Sequence, residues 1–324
     1  MNSEQYERQN LLEKDAETLA LVEAMGEIGG SEPSQKSERK IEAPPRVRDE
    51  GPRRPALNEV ALYGRAGQVV NTIFPHSEAD KSALLLHFLA GYGNLIGRSA
   101  HCQVESTRHF SNTFFGCVGE TAKARKGTAW NRVRDVLARI DAPWARDRIQ
   151  SGLSSGEGLI AAVAGGDDGA AAADKRLFVL QPELASTLKV MSREGNTLSP
   201  VIREAWDSGT LRTLVKRDPL HAEDAHISIV GHITADELCR YLTATESANG
   251  FANRFLWSCS SRSKCLPEGG NLSERELDAL ADLLRVHAAR GLPLIHRVPG
   301  AGERRLSRPG SLEPHGHPEC CANG

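Results

Sequence analysis

The sequence predicts an α/β domain built on a mainly parallel sheet. Three observations carry that prediction. Short apolar runs occur at residues 114–118, 177–180 and 226–233, helical periodicities lie between them, and helix-starting signals follow the runs directly. A strand covered by helices on both faces reads as a continuous apolar run rather than an alternating one. Strands alternating with capped helices form the pattern of a βαβ sheet.

The elements follow in order. Residues 1–56 read as a tail, with Leu11, Leu12, Leu19, Leu21 and Val22 at the spacing of a short helix. Residues 29–55 are Gly, Ser, Pro and charge, too poor in apolar surface to offset their ordering entropy, and are expected to be a disordered linker. The domain proper is expected over residues 57–290. Residues 77–96 predict a helix with Ser77 as N-cap, Asp80 three residues on, and Ala83, Leu84, Leu86, His87 and Leu89 on an apolar face. Residues 112–118 (NTFFGCV) predict a buried strand. A turn over 119–128 leads into a helix with Trp130, Val133, Val136, Leu137 and Ile140 on one face.

The quartet 154–157 (SSGE) reads as a capping box opening a helix through residue 164. Residues 165–174 (GGDDGAAAAD) are of low complexity and are expected to form a mobile loop. A strand over 177–180 precedes a helix from about Glu183. Ser199-Pro200 reads as an N-cap with proline at the first helical position, and Gly209 closes that helix. Strands are predicted over 211–215 and 226–233, the latter running into a capping box, Thr234-x-x-Glu237. Residues 254–260 predict a last strand and 274–289 a last helix. Residues 291–324 read as an irregular tail.

Composition bounds the function. The 324 residues carry 40 Lys+Arg against 42 Asp+Glu, a net charge of -2, so a histone-like coat of nucleic acid is excluded while a local basic groove is not. Mean hydropathy is -0.39, and no apolar run reaches the ~20 residues of a membrane span. Residues 1–20 lack the apolar segment of a secretory signal. The 7 cysteines form no CxxC pair, so a reducing cytoplasm is expected, with Cys117 and Cys259 as small core residues of strands. The terminal HGHPECC, with His315, His317, Cys320 and Cys321, has metal-ligand types without the spacing of a zinc site. Ser154 and Ser155 sit in no GxSxG elbow, which excludes a serine hydrolase of that kind. Arg98, His101, Arg108, His109 and Phe110 form a basic, aromatic patch suited to nucleic acid, or else a solvated loop.

The chemistry centres on residues 119–128 (GETAKARKGT). A strand, a glycine turn and a helix N-terminus direct backbone N–H groups at phosphates. Gly119, Lys126, Gly127 and Thr128 are the candidate cradle, with lysine and glycine exchanged relative to GxxxxGK[ST]. Lys126 would meet the terminal phosphates and the Thr128 hydroxyl a Mg²⁺ ion, while Lys123 and Arg125 add positive potential. Glu183 follows an apolar strand. It would orient Mg²⁺ or an attacking water, or else favour its helix dipole as a first-turn acid. Thr234 or His232 would sense a γ-phosphate, although Thr234 reads first as an N-cap. Arg254, in Asn253-Arg254, would reach a phosphate in cis or across a subunit interface, or else form a surface ion pair.

Taken together, the segments 87–98, 118–128, 151–160, 175–209, 226–238 and 249–257, in that order, resemble a primase-helicase-associated, YfjI-like family carried by phages, plasmids and integrated elements. The likeness spans roughly residues 57–270. It implies a RecA-like or helicase-like P-loop ATPase core beside primase functions, with ATP and Mg as cofactors. It further implies single-stranded DNA and a primase as partners, and a ring-forming homo-oligomer. Carried over, the phosphate loop falls on Gly119, Lys126, Gly127 and Thr128, the acidic strand end and metal position on Glu183, and the arginine-finger-like motif on Asn253 and Arg254. Ser155, Gly156 and Glu157 fall in the family's most recognisable turn. The chain departs from the pattern in its Lys-Gly-Thr order, in Gln181 where a second acid would stand, and beyond about residue 292, where a truncated or frameshifted copy is expected. The alternatives are a non-catalytic nucleic-acid-binding or assembly module, and a non-functional remnant of a larger replication protein.

Overall fold

A computed structural model describes residues 56–164 and 174–290. The predicted tails, the low-complexity loop but for Asp174, and the HGHPECC cluster lie outside those residues. Helices α1 (Gly64–Ile73) and α2 (Lys81–Ile96) come first, then a hairpin of β1 (His101–Val104) and β2 (Thr107–Phe110). Strand β3 (Phe114–Val118) leads into α3 (Lys126–Ile140) and α4 (Ala142–Asp147). Next come β4 (Ile149–Gln150), α5 (Gly156–Ala161), β5 (Arg176–Gln181), α6 (Leu184–Met191) and α7 (Leu198–Asp207). A two-residue hairpin, β6 (Leu211–Arg212) with β7 (His221–Ala222), precedes β8 (His226–Ile233). The described chain ends with α8 (Ala235–Tyr241), α9 (Ala244–Ala248), β9 (Phe255–Cys259) and α10 (Glu274–Arg290).

The sheet is five-stranded and parallel throughout, in the order β4-β5-β8-β3-β9. The chain leaves β3 for the far edge, returns through β5 and β8, and then crosses β3 to place β9 on the other edge. β8 therefore separates β3 from β5. The two-residue period of each strand divides its side chains between two cores. Phe115, Cys117, Phe178 and Val230 face α1, α2, α3, α4 and α10. Phe114, Val118, Leu177, Val179, Ile227 and Ile229 face α5, α6 and α7. Every residue of β3 and β8 is buried; β3 is apolar without alternation for that reason, while β8 carries the buried polar residues His226, Ser228 and His232 at alternate positions.

Two packing details fix the layers. Trp130 of α3 stacks on Phe178 of β5 with ring centroids 4.5 Å apart. Asn94, buried on α2, donates through Nδ2 to the carbonyls of Leu177 and His226 at 3.0 and 2.9 Å and accepts from Trp144 Nε1 at 2.9 Å. One buried amide thus ties α2, α4, β5 and β8 together, with its donors and acceptor satisfied as burial requires.

Several sequence readings shift. The helix read from residue 77 starts at Lys81, because Asp80, not Ser77, caps it, accepting from Ser82 N at 2.8 Å. The helix read from Ser199 starts at Leu198 after Thr197, since Leu198 is fully buried and Asn196 Oδ1 accepts its N–H at 2.9 Å. The strand expected over 211–215 is confined to Leu211–Arg212, leaving Leu214 almost fully exposed. Cys117 is buried as expected, but Cys259 is exposed at the end of the edge strand β9. Among the described residues no helix is long and apolar enough to cross a membrane.

Candidate functional site: the β3–α3 loop

The carboxyl ends of β3, β8 and β5 lie side by side, and the candidate residues gather there unequally. Val118 pairs with Ile233, and Gln181 pairs with Gly231. Glu183 stands two residues past Gln181, in the turn that leads from β5 into α6. β5 stands two strand spacings from β3, about 9.5 Å. Glu183 itself is exposed and stands at the N-cap of α6 without a side-chain capping bond. Gln181 is not part of that edge chemistry. It is buried, and its carboxamide oxygen turns to the N–H groups of Gly152 and Leu153 at 3.0 and 2.8 Å.

The loop is tightly wound. A Cβ on Gly119 would fall 2.6 Å from Ala124 Cβ and 2.6 Å from the Ser260 carbonyl, so no side chain fits. Ala122 and Arg125 both hold positive φ, 56° and 52°, a region that favours glycine and costs other residues about 1–2 kcal/mol. Arg125 is the N-cap residue of α3 and makes no side-chain cap. The first N–H groups of a fifteen-residue helix are thus left without a capping side chain at a sheet edge, as an anion-binding terminus requires. Lys126 reaches back across this terminus and donates through Nζ to the carbonyl of Gly119 and, at 3.3 Å, to that of Ile233. Burial lowers its pKa, against the raising influence of Cys117 and Glu237. Gly127 is exposed with open space where a Cβ would stand, and Thr128 is half-buried in the same first turn.

Arg125 is held by a carboxylate that the sequence reading did not single out. Glu78 pairs through Oε2 with Arg125 Nε at 2.7 Å and through Oε1 with Arg262, and it accepts from Leu266 N at 2.7 Å. The Leu266 N–H first, then the Arg262 hydrogen bond and the nearby Arg125 charge, hold the Glu78 carboxyl down to about 2. No spacing signal links residue 78 to residues 125 and 262. The contact arises because the segment before α2 passes under the loop.

On the other side, Thr234 and Glu237 form the predicted capping box. Thr234 Oγ1 accepts from Glu237 N at 3.2 Å, and Glu237 Oε2 accepts from Thr234 N at 3.2 Å. These bonds, ahead of the nearby Lys126 charge, lower the Glu237 pKa. A cavity of about 520 Å³ opens between this cap and the loop, lined by Gly119, Glu120, Thr121, Asp236, Glu237 and Cys259. Beneath it, His232 on β8 and His87 on α2 meet Nε2 to Nε2 at 2.8 Å, and His87 Nδ1 lies 2.6 Å from the Ala83 carbonyl. His87 therefore donates from Nδ1 and accepts at Nε2 from His232. Burial keeps both rings below the ordinary histidine range. His232 is committed to this contact, inside the sheet. Among the described residues no group of three or more His, Cys, Asp or Glu side chains is arranged to hold a metal ion.

Two sequence readings are corrected. Arg254 precedes β9, and Phe255 pairs with Phe114 at the start of β3. In a parallel sheet that is the end opposite the loop, about 13 Å away along β3. Arg254 is also engaged there, by Asp207 at 2.6 and 3.2 Å and by the Gly250 carbonyl at 2.8 Å. It does not reach a phosphate bound in its own chain. The 154–157 quartet is a different cap from the one read. Ser155, not Ser154, caps α5, accepting from Gly158 N at 3.0 Å, and Glu157 accepts from the Thr197 hydroxyl at 3.0 and 3.1 Å.

The chain matches no protein-family model and no curated protein.

Proposed function

We propose that the chain is a Mg²⁺-dependent NTPase module of RecA-like type that acts on single-stranded DNA during replication of a mobile element. The observation that carries this reading is the α3 N-terminus. It has no side-chain cap, Lys126 lies folded across it at the end of a central strand, and Glu183 follows β5, two strands away at the same end of the sheet. The inserted strand β8 between β3 and β5 is compatible with a RecA-like core. In this reading Lys126 exchanges its two carbonyl partners for the β- and γ-phosphates. The Lys126, Gly127 and Thr128 N–H groups take phosphate oxygens. Thr128 and Glu183 would hold Mg²⁺ and orient water, the ion supplying charge neutralisation. Arg254, held by Asp207 at the other end of the sheet, takes no phosphate of its own chain in this reading.

A second reading, binding without turnover, has one observation in its favour. Gly127 occupies the position directly after the lysine, where a Mg²⁺-binding hydroxyl is usual, and Thr128 is one residue further on.

Titration calorimetry with ATP and Mg²⁺ on the wild type and Lys126→Ala tests both. The reading requires binding by the wild type and a loss of about tenfold or more in the variant, the scale of a hydrogen bond to a charged group. A folded wild type that binds no nucleotide refutes it. Binding with no DNA-stimulated hydrolysis selects the second reading.

A further inference from the structure

The opposite end of the sheet carries a second set of cations that the phosphate loop does not use. A cavity of about 530 Å³ lies at the amino ends of β5 and β8, under the β1–β2 hairpin. It is lined by Arg98, Arg108, Lys175 and Arg176 against two carboxylates, Asp174 and Asp224. The carboxylates are already neutralised: Asp224 lies 3.5 Å from Arg98, and Asp174 lies 2.7 Å from Arg176. Arg176 is shared with a third carboxylate, Asp141, at 3.0 Å, so among the described residues the cations of this wall left without a carboxylate are Arg108 and Lys175.

Two further features describe that anion. The Arg98 guanidinium lies over the Phe110 ring, 3.7 Å from its centroid, so a flat cation–π pair is set into the wall. His226, almost fully buried, also lines the cavity. Its Nε2 lies 3.0 Å from the Gly93 carbonyl and so carries the hydrogen, while Nδ1, a bare acceptor, has no partner. The ligand this wall complements carries negative charge and a planar face. A second cavity of about 220 Å³ shares Arg98, Arg108 and Phe110 and continues past Asn112 and Trp206. The two cavities share that wall, so the basic, aromatic face extends beyond the first cavity.

We infer that this face binds a single-stranded polynucleotide, with Arg108 and Lys175 on successive phosphates and a base against the Phe110–Arg98 pair. His226 and Ile233 lie seven residue steps apart along β8, so this track lies roughly 23 Å from the phosphate loop. DNA and nucleotide would then occupy opposite ends of one central strand. The inference rests on the proposed function only for the identity of the partner, and its test separates the two.

Fluorescence anisotropy of a labelled single-stranded oligonucleotide is measured without nucleotide, over a range of salt, on the full chain and on Arg108→Ala/Lys175→Ala, Phe110→Ala and Lys126→Ala. Nucleotide binding by calorimetry and a circular dichroism spectrum are recorded for each. Single-strand affinity falls with log salt at a slope near 0.7 per phosphate contacted, so the double variant should lose about 1.4 from that slope. Phe110→Ala should weaken binding about fivefold or more with the slope unchanged, the scale of one stacked base. Lys126→Ala should bind DNA as the wild type does. If the slope falls while the wild type binds no ATP, the inference stands and the nucleotide reading fails. No binding by a folded wild type, or an unchanged slope in the folded double variant, overturns the inference. Displacement by inorganic phosphate beyond the effect of chloride at equal ionic strength also overturns it, since that marks a simple anion pocket.

Discussion

Mild acid should unfold this domain, through three histidines. His87, His226 and His232 are all buried. Burial is the leading cause holding each below its ordinary value of 6.5, with His226 down to about 4. Positive neighbours deepen the effect, Arg98 and Arg176 at His226 and Lys126 at His232. The native state therefore favours the neutral rings, and the unfolded chain takes up their protons near pH 6.5. The stability involved is complete above that pH and is lost as pH falls from 6.5 toward the native values. Each ring contributes a slope of about 1.4 kcal/mol per pH unit across that window. At about pH 5 the loss is about 2 kcal/mol per ring and about 6 for the three, on the scale of the whole stability of a domain. Glu78, held down to about 2, is still ionised there and adds nothing to the loss. Urea unfolding between about pH 7.5 and 5 measures the proton uptake directly. Three protons per molecule are expected, falling to two in His226→Leu. A slope below one proton in the wild type would refute the burial argument.

The remaining predictions concern packing and the loop. Asn94→Leu should destabilise the domain by about 2–4 kcal/mol in urea melts, because it strands two buried carbonyls and the Trp144 indole N–H. Gly231→Ala should cost about 1–3 kcal/mol, because the new Cβ would fall 2.7 Å from Leu184 Cδ2 in the row that seats α6 on the sheet. Gly127→Ala should instead raise stability by up to about 1 kcal/mol, since nothing stands within 4 Å of the added methyl and alanine is the better helix former. Glu78→Gln should lower the melting temperature and make the loop more open to proteolysis, since Arg125 and Arg262 lose their shared carboxylate.

The strands that carry the site were legible because burial writes them plainly. FFGCV, RLFVLQ and HISIVGHI are the three central strands, and each leads into a helix or a tight loop. Their order was not legible. It depends on contacts between residues far apart, such as Gly116 beneath the Trp257 ring and Gly231 beneath Leu184, both in one register row. The β1–β2 hairpin was invisible as secondary structure because seven of its eight strand residues are exposed, so no apolar alternation marks it. Its residues were noticed only as a basic, aromatic patch. Glu78 was missed for a related reason: its partners lie 47 and 184 residues further along the chain.

Arg254 shows where more could have been read from chain direction alone. In a parallel sheet every loop that follows a strand lies at one end, and every residue that precedes a strand lies at the other. Lys126 and Glu183 follow their strands, whereas Arg254 precedes β9. No packing detail is needed to separate it from the β3–α3 loop. The same rule groups Arg254 with the residues at or ahead of the starts of β3, β5 and β8, among them Arg108, Lys175 and His226. Its Asp207 partner borders the smaller cavity of that face. Breaking the pair with Asp207→Asn would release a third cation toward the track. If the polynucleotide runs there, that variant should bind single strands more tightly, with the salt slope steeper by up to about 0.7, and nucleotide binding at the far end should not change. A tighter grip on nucleotide instead would place Arg254 back at the β3–α3 loop and overturn the geometry on which the separation of the two ends rests.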